Sequence, residues 1–174
     1  MKLQSQTAVD LSGHNWSDAL AGAISERAAI SKRVLLCVTG KTGVGKTTFA
    51  RQLRKKGIPG FKRSEITVID DGVMTAPRFG VINRRIRFRC ESRDELAPFE
   101  PYLRGKKVVI YVAIQPEKRI SRCDILLRLL CSDNTRKARL VAHRTNGIVR
   151  YEKSLHSRES ADIPADRYFS LTTE

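Results

Sequence analysis

The sequence predicts an α/β fold, a three-layer sandwich around a mainly parallel sheet of about five strands. Three observations predict it. Short, continuous apolar runs alternate with segments of helical length and pattern. The first of those runs ends in a glycine-rich loop that opens directly into a helix. The chain has 174 residues, 41% of them hydrophobic and 29% charged, which suits one folded domain with a real core.

Taken in order, residues 1–15 read as irregular. Ser17 can cap a helix running to about Lys32, with Leu20, Ala23, Ile24, Ala28 and Ile30 approximating an apolar stripe. RVLLCVTG, 33–40, is a continuous apolar run ending at Gly40 and reads as a strand buried on both faces. KTTFARQLRKKG follows as a helix with Phe49, Ala50 and Leu53 on one face. Its basic residues crowd the last turn, where the helix dipole favours them, and Gly57 can end it. IPGFKRSE makes a turn, and ITVIDDG, 66–72, is a second short strand stopped by acids and glycine.

Residues 73–105 carry weaker signals. VINRRIRFRC alternates apolar and basic residues and fits an exposed strand or a loop-rich insertion. KKVVIYVAI, 106–114, and CDILLRLLC, 123–131, are strands joined by QPEKRISR. Asp133 can cap a helix through NTRKARLVAHR; 145–163 is polar; PADRYFSLTT, 164–173, closes with a short strand. The five predicted strands are 33–39, 66–70, 107–113, 124–131 and 167–172. No internal repeat is present.

Composition bounds the function. No apolar run approaches the roughly 20 residues that span a bilayer, and MKLQSQTAVDLSGHNW is too polar for a secretory core, so the expectation is a cytoplasmic protein without a membrane partner. Cys37, Cys90, Cys123 and Cys131 show no CxxC spacing and no histidine placed to complete a zinc site. They read as reduced cysteines, three of them in apolar runs. None of the three histidines forms a catalytic constellation. The net charge of +15 and pI near 10.2 point to a polyanionic partner or an anionic substrate.

Gly40, Gly45, Lys46 and Thr47 fit G-x-x-x-x-G-K-[ST]. In such a loop, glycines admit the torsions that turn successive N–H groups inward, and these groups with the helix N-terminus hold phosphate oxygens. The candidate nucleotide-binding residues are therefore Gly40, Lys41, Thr42, Gly43, Val44, Gly45, Lys46, Thr47 and Thr48. Lys46 can reach the β- and γ-phosphates, and the Thr47 hydroxyl can ligate Mg²⁺. The apolar strand before the loop and the helix after it supply the context of a P-loop NTPase. No N-K-x-D sequence for guanine is present, and the chain is short for motor or AAA-type ATPases.

Asp70 and Asp71 end the second predicted strand after one helix, one turn and one short strand. That places carboxylates at the edge where open parallel sheets bind ligands. There an acid can take a proton from a hydroxyl or help hold magnesium.

GKTGVGKTT, VIDDG, LLCSDNTRKARLVAHR and ADRYFSL together resemble the P-loop small-molecule kinases, in particular the uridine-kinase-like nucleoside kinases and the polynucleotide 5′-kinases. The resemblance implies a nucleotide-binding, kinase-like domain over 33–174, preceded by a helical segment over 1–32, with a lid around 144–163. It implies ATP and Mg²⁺ as cofactors, and transfer of the γ-phosphate to a hydroxyl of a nucleoside, nucleotide, polynucleotide end or similar acceptor. The implied catalytic set is Lys46, Asp70, Asp71, Arg139 and Arg144, with Thr47 and Asp71 as metal ligands and Arg150 and Arg158 as further lid arginines. Two departures are visible. IYVAI ends in Val112, Ala113 and Ile114 where the family often carries an acid, which moves the metal-acid role to Asp70 or Asp71. Gly72 and Val73 replace the aromatic and basic residues usual in polynucleotide kinases. The alternative function is a P-loop ATPase coupling nucleotide to nucleic-acid binding or partner assembly. For a nucleic-acid partner, Arg84, Arg85, Arg87, Arg89 and Arg93, interleaved with Phe88, are the expected contacts.

Overall fold

The computed structural model describes residues 8–13, 15–70, 75–78, 82–85, 96–143, 146–156 and 163–173. The chain forms β1 (Val9–Asp10), α1 (Trp16–Ile30), β2 (Val34–Thr39), α2 (Lys46–Lys56), β3 (Ile66–Asp70), β4 (Thr75–Arg78), β5 (Ile82–Arg85), β6 (Val108–Val112), β7 (Ile125–Leu130), α3 (Asp133–His143), α4 (Gly147–Leu155) and β8 (Arg167–Thr172).

Six strands make one sheet in the order β1-β8-β7-β2-β6-β3, with every pair parallel. The five strands expected from apolar runs are all there. β1 is the addition: two residues that pair with Phe169 and Ser170, followed by the Leu11 amide donating to the Ser170 carbonyl at 2.8 Å. β2 lies between β6 and β7. The chain leaves it towards β3 on one side, and β7 and β8 lie on the other. Such a change of direction opens a crevice at the carboxyl ends of the strands, where ligands bind in open α/β sheets.

Alternate residues of the central strands feed two cores. Leu36, Val38, Ile110, Leu127 and Leu129 pack beneath α1 and α2 with Leu20, Ile24, Phe49 and Leu53. Cys37, Val109, Tyr111 and Leu126 face the other way, against Phe99, Leu103, Ile120 and Ile163. That second face is covered by short 3₁₀ turns at Ala97–Tyr102 and Pro116–Lys118. Each fully buried Leu, Ile or Phe contributes about 1.5–3 kcal/mol, so the doubly covered centre of the sheet is the firmest part of the molecule.

Several local expectations are corrected. α1 begins at Trp16, with Asn15 rather than Ser17 at the cap; the Asn15 side-chain amide donates to Asp18. Starting there sets Trp16 against Phe49 of α2, ring centroids 5.2 Å apart. Ile30 is not part of the buried stripe: it is 77% exposed, because helical rotation carries it off the face of Leu20 and Ile24. On that face sits Arg27, whose Nε donates to Asp124 Oδ1 at 2.7 Å and ties α1 to the start of β7. The polar region after α3 contains a helix, α4. The arginine-rich region contains an antiparallel pair, β4 and β5, with Thr75 opposite Arg85 and Arg78 opposite Ile82. Arg87, Arg89 and Arg93 lie outside the described residues.

Among the described residues, no helix is long and apolar enough to cross a membrane. Cys37 and Cys123 are buried and Cys131 is half-buried, all as free thiols. Burial pushes the Cys37 thiol well up, with the neighbouring Cys123 reinforcing it.

Candidate phosphate-binding site

The loop joins the central strand β2 to α2. Gly40 leaves the strand at φ 138°, and a Cβ there would collide with the Leu129 carbonyl of β7. Gly45 precedes the helix at φ 95°. Both positions require glycine, and together they curl the chain so that α2 points its free N–H groups at the loop's mouth.

Lys46, the first residue of α2, is 9% exposed. Its Nζ donates to the carbonyls of Gly40 at 2.6 Å and Lys41 at 2.9 Å. Burial lowers its ammonium from the usual range to about 8; the Asp70 carboxylate opposes the shift and Arg136 adds to it. The next residue, Thr47, donates its hydroxyl to Asp70 Oδ2 at 2.6 Å. The sequence-predicted lysine, threonine and first acid are thus in one place.

The neighbouring strand end carries no such group. β6 runs out beside β2 into Ala113, whose amide donates to the Val38 carbonyl at 3.1 Å, and Ile114, which is 41% exposed. The acid nearest the loop threonine therefore comes from β3, one strand further out. Among the described residues there is no cluster of three or more His, Cys, Asp or Glu. Thr47 with Asp70 offers one hydroxyl and one carboxylate, the sparse protein contribution that suits magnesium, which keeps several waters and takes phosphate oxygens as its other ligands. Asp71 and Arg144, also expected here, lie outside the described residues.

The loop's outer side is held by α3. Arg136 is 1% exposed. Its Nε donates to the Thr42 carbonyl at 3.1 Å, its Nη2 to Ser154 Oγ of α4 at 2.6 Å, and its Nη1 to Asp133. The guanidinium also lies over the Tyr151 ring, 5.6 Å from the centroid. One turn on, Arg139 Nη1 donates to the Val44 carbonyl and to Thr173 Oγ1, each at 3.1 Å. Thr173 Oγ1 also approaches the Val44 carbonyl, at 3.0 Å. Cations thus occupy the carbonyl side of the loop, which leaves its amide side for an anion. α4 comes close because Gly147 has no side chain: a Cβ there would strike the Leu140 carbonyl of α3.

Arg139, expected at a phosphate, stands beside the loop and holds its backbone at Val44. Arg136 was not anticipated at all. Its signal was its spacing: it stands four residues before buried Leu140, so a helical wheel places it on the covered face of α3.

No family model matches the sequence, and no curated protein does. Among solved structures, one described as "putative fructose transport system kinase from Silicibacter sp. TM1040" matches 91% of this chain and 98% of that chain, at 18% identity and a TM-score of 0.49. The fold of this chain is α/β, with a six-stranded all-parallel sheet flanked by helices.

Proposed function

We propose that this protein binds ATP with magnesium in the Gly40–Thr48 loop and transfers the γ-phosphate to the hydroxyl of a nucleoside, nucleotide, polynucleotide end or similar small acceptor. The observation that carries the proposal is the 2.6 Å hydrogen bond between the Thr47 hydroxyl and Asp70, beside a buried Lys46 at the start of α2. Phosphoryl transfer needs alignment and charge neutralisation more than covalent help. Loop amides and the α2 N-terminus hold the phosphates, and Lys46 neutralises charge on their oxygens. Thr47 and a carboxylate of the Asp70–Asp71 pair would hold magnesium, which when bound would supply positive charge against the phosphates. Asp70 orients the acceptor hydroxyl and accepts its proton. Arg139 positions the loop through Val44, and Arg144, in the proposed lid around 144–163, screens the transferring group.

A second reading, an ATP hydrolase coupled to nucleic-acid binding or partner assembly, is favoured by the apolar end of β6, where Ala113 and Ile114 stand in place of an acid. One experiment separates the two. Purified protein is given γ-labelled ATP and Mg²⁺ with a panel of nucleosides, nucleotides, sugars and 5′-hydroxyl oligonucleotides, beside a plain hydrolysis assay. The kinase reading expects label on an acceptor, lost in Asp70→Asn and in Lys46→Ala. Free phosphate alone, in amounts no acceptor diverts, supports the hydrolase instead. Undiminished ATP binding by Lys46→Ala defeats both.

A further inference from the structure

At the end of the sheet opposite the loop, the starts of β2, β6 and β3 are strongly basic. Parallel strands all start at that end, and three starts are flush: Val34 is level with Val108, and Ile66 is level with Val108. The residues just before them therefore lie side by side. The Val34 amide donates to the Lys107 carbonyl, and the Lys107 amide to the Glu65 carbonyl, each at 2.8 Å. Lys32 and Arg33 precede β2, Lys62 and Arg63 precede β3, and Arg104, Lys106 and Lys107 precede β6. The last turn of α2 adds Arg54, Lys55 and Lys56. It reaches the same place, since a Cβ on Gly57 would lie 4.0 Å from Arg63 Cγ.

Two carboxylates on these segments are already engaged. Glu100 pairs with Arg33 at 2.7 Å, and Glu65 pairs with Lys107 at 2.9 Å. Among the described residues, Lys32, Arg54, Lys55, Lys56, Arg63 and Arg104 make no ion pair. Most of these cations are exposed. Crowding like charges costs free energy unless an anion neutralises them.

We propose that this basal face is a docking surface for the phosphodiester backbone of a nucleic-acid strand. It is separated from the phosphate loop by the length of the strands, about 17–20 Å, so binding there is independent of the nucleotide. The arginine-rich β4–β5 region follows the other end of β3 in the chain. Charge favours a polyanion. The apolar anchors that hold a protein in a bilayer interface are missing from the described part of the face: Ile30, 77% exposed, is the large apolar side chain beside it, against the broad apolar face such binding uses.

The test is fluorescence anisotropy of the full chain with labelled single-stranded RNA, single-stranded DNA and duplex DNA about 12 nucleotides long, titrated at rising salt. With about five phosphate contacts, affinity for a single strand should fall about 100-fold between roughly 50 and 200 mM salt. The variant K55Q/K56Q/R63Q should weaken binding and flatten the plot of log affinity against log salt by about 2 units. K32Q/R104Q repeats the test with a smaller change should the first variant fold poorly. K118Q/K137Q/K153Q removes as many exposed charges elsewhere and should keep the wild-type slope, as should Lys46→Ala. Preference among the three probes identifies the nucleic acid. The proposal is overturned if no probe binds, if the remote charge variant or Lys46→Ala weakens binding equally, or if phosphatidylserine vesicles bind where oligonucleotides do not.

Discussion

Replacing Arg136 with methionine tests whether the loop is held from behind. The guanidinium is 1% exposed and donates to the Thr42 carbonyl, to Ser154 Oγ and to Asp133. Methionine fills much of the volume but donates nothing. Hydrogen bonds involving a charged group are worth about 1.5–3 kcal/mol each. Asp133 is 58% exposed, so water can replace its bond at little cost. Thr42 and Ser154 are left facing a dry side chain, while removing a buried charge returns part of the loss. The net expectation is a destabilisation of about 2–4 kcal/mol, or about 5–15 °C in Tm for a chain of this size. Nucleotide affinity should fall by about tenfold or more, since Thr42 belongs to the loop. Arg136→Lys should recover part of both. Thermal unfolding and ATP titration read the result. A Tm within about 2 °C of wild type, together with unchanged affinity, would refute the reasoning.

Other predictions concern the same site. Lys46 has its ammonium lowered to about 8 by burial. Between about pH 8 and 10.5 the unfolded chain holds this proton while the folded chain has released it, so stability of the nucleotide-free protein should rise with pH through that window by about 2–3 kcal/mol. Lys46→Met should abolish the rise, and identical pH profiles for the two proteins would contradict it. Bound phosphate should draw the proton back, so ATP binding near pH 8.5 should take up protons, measurable calorimetrically in buffers of different ionisation enthalpy. Asp70→Asn should remove transfer of label to any acceptor while ATP affinity in Mg²⁺ falls by no more than about tenfold, roughly 1.4 kcal/mol; undiminished transfer would remove Asp70 as the base. Gly40→Ala should cost about 2 kcal/mol or more, because it combines φ 138° with a collision at the Leu129 carbonyl, and a wild-type Tm would count against that geometry.

The centre of the sheet was readable because β2, β6 and β7 are continuous apolar runs of strand rather than helix length, largely buried on both faces. β1 was not readable: two residues hold no periodicity, and Val9 and Asp10 pair only because β8 offers them an edge. Lys46, Thr47 and Asp70 were legible from motif and spacing, since a loop between β2 and α2 fixes where the next strand must end. The α3 arginines were legible as residues, but not their contacts with the loop carbonyls of Thr42 and Val44. Sequence distinguishes a guanidinium near a phosphate from one on a carbonyl only when the opposing surface is known, and that surface is the folded loop itself. The N-cap shift from Ser17 to Asn15 has the same origin, in the contact between Trp16 and Phe49.

Asp70 belongs to β3, whose only neighbour in the main sheet among the described residues is β6, whereas β2 is flanked on both sides. The lysine and threonine therefore stand on a fixed post and the carboxylate on a door frame that can give. Amide protons of β3 should exchange with solvent sooner than those of β2. Any compound that wedges between β3 and the loop would separate acid from hydroxyl without touching the phosphate cradle.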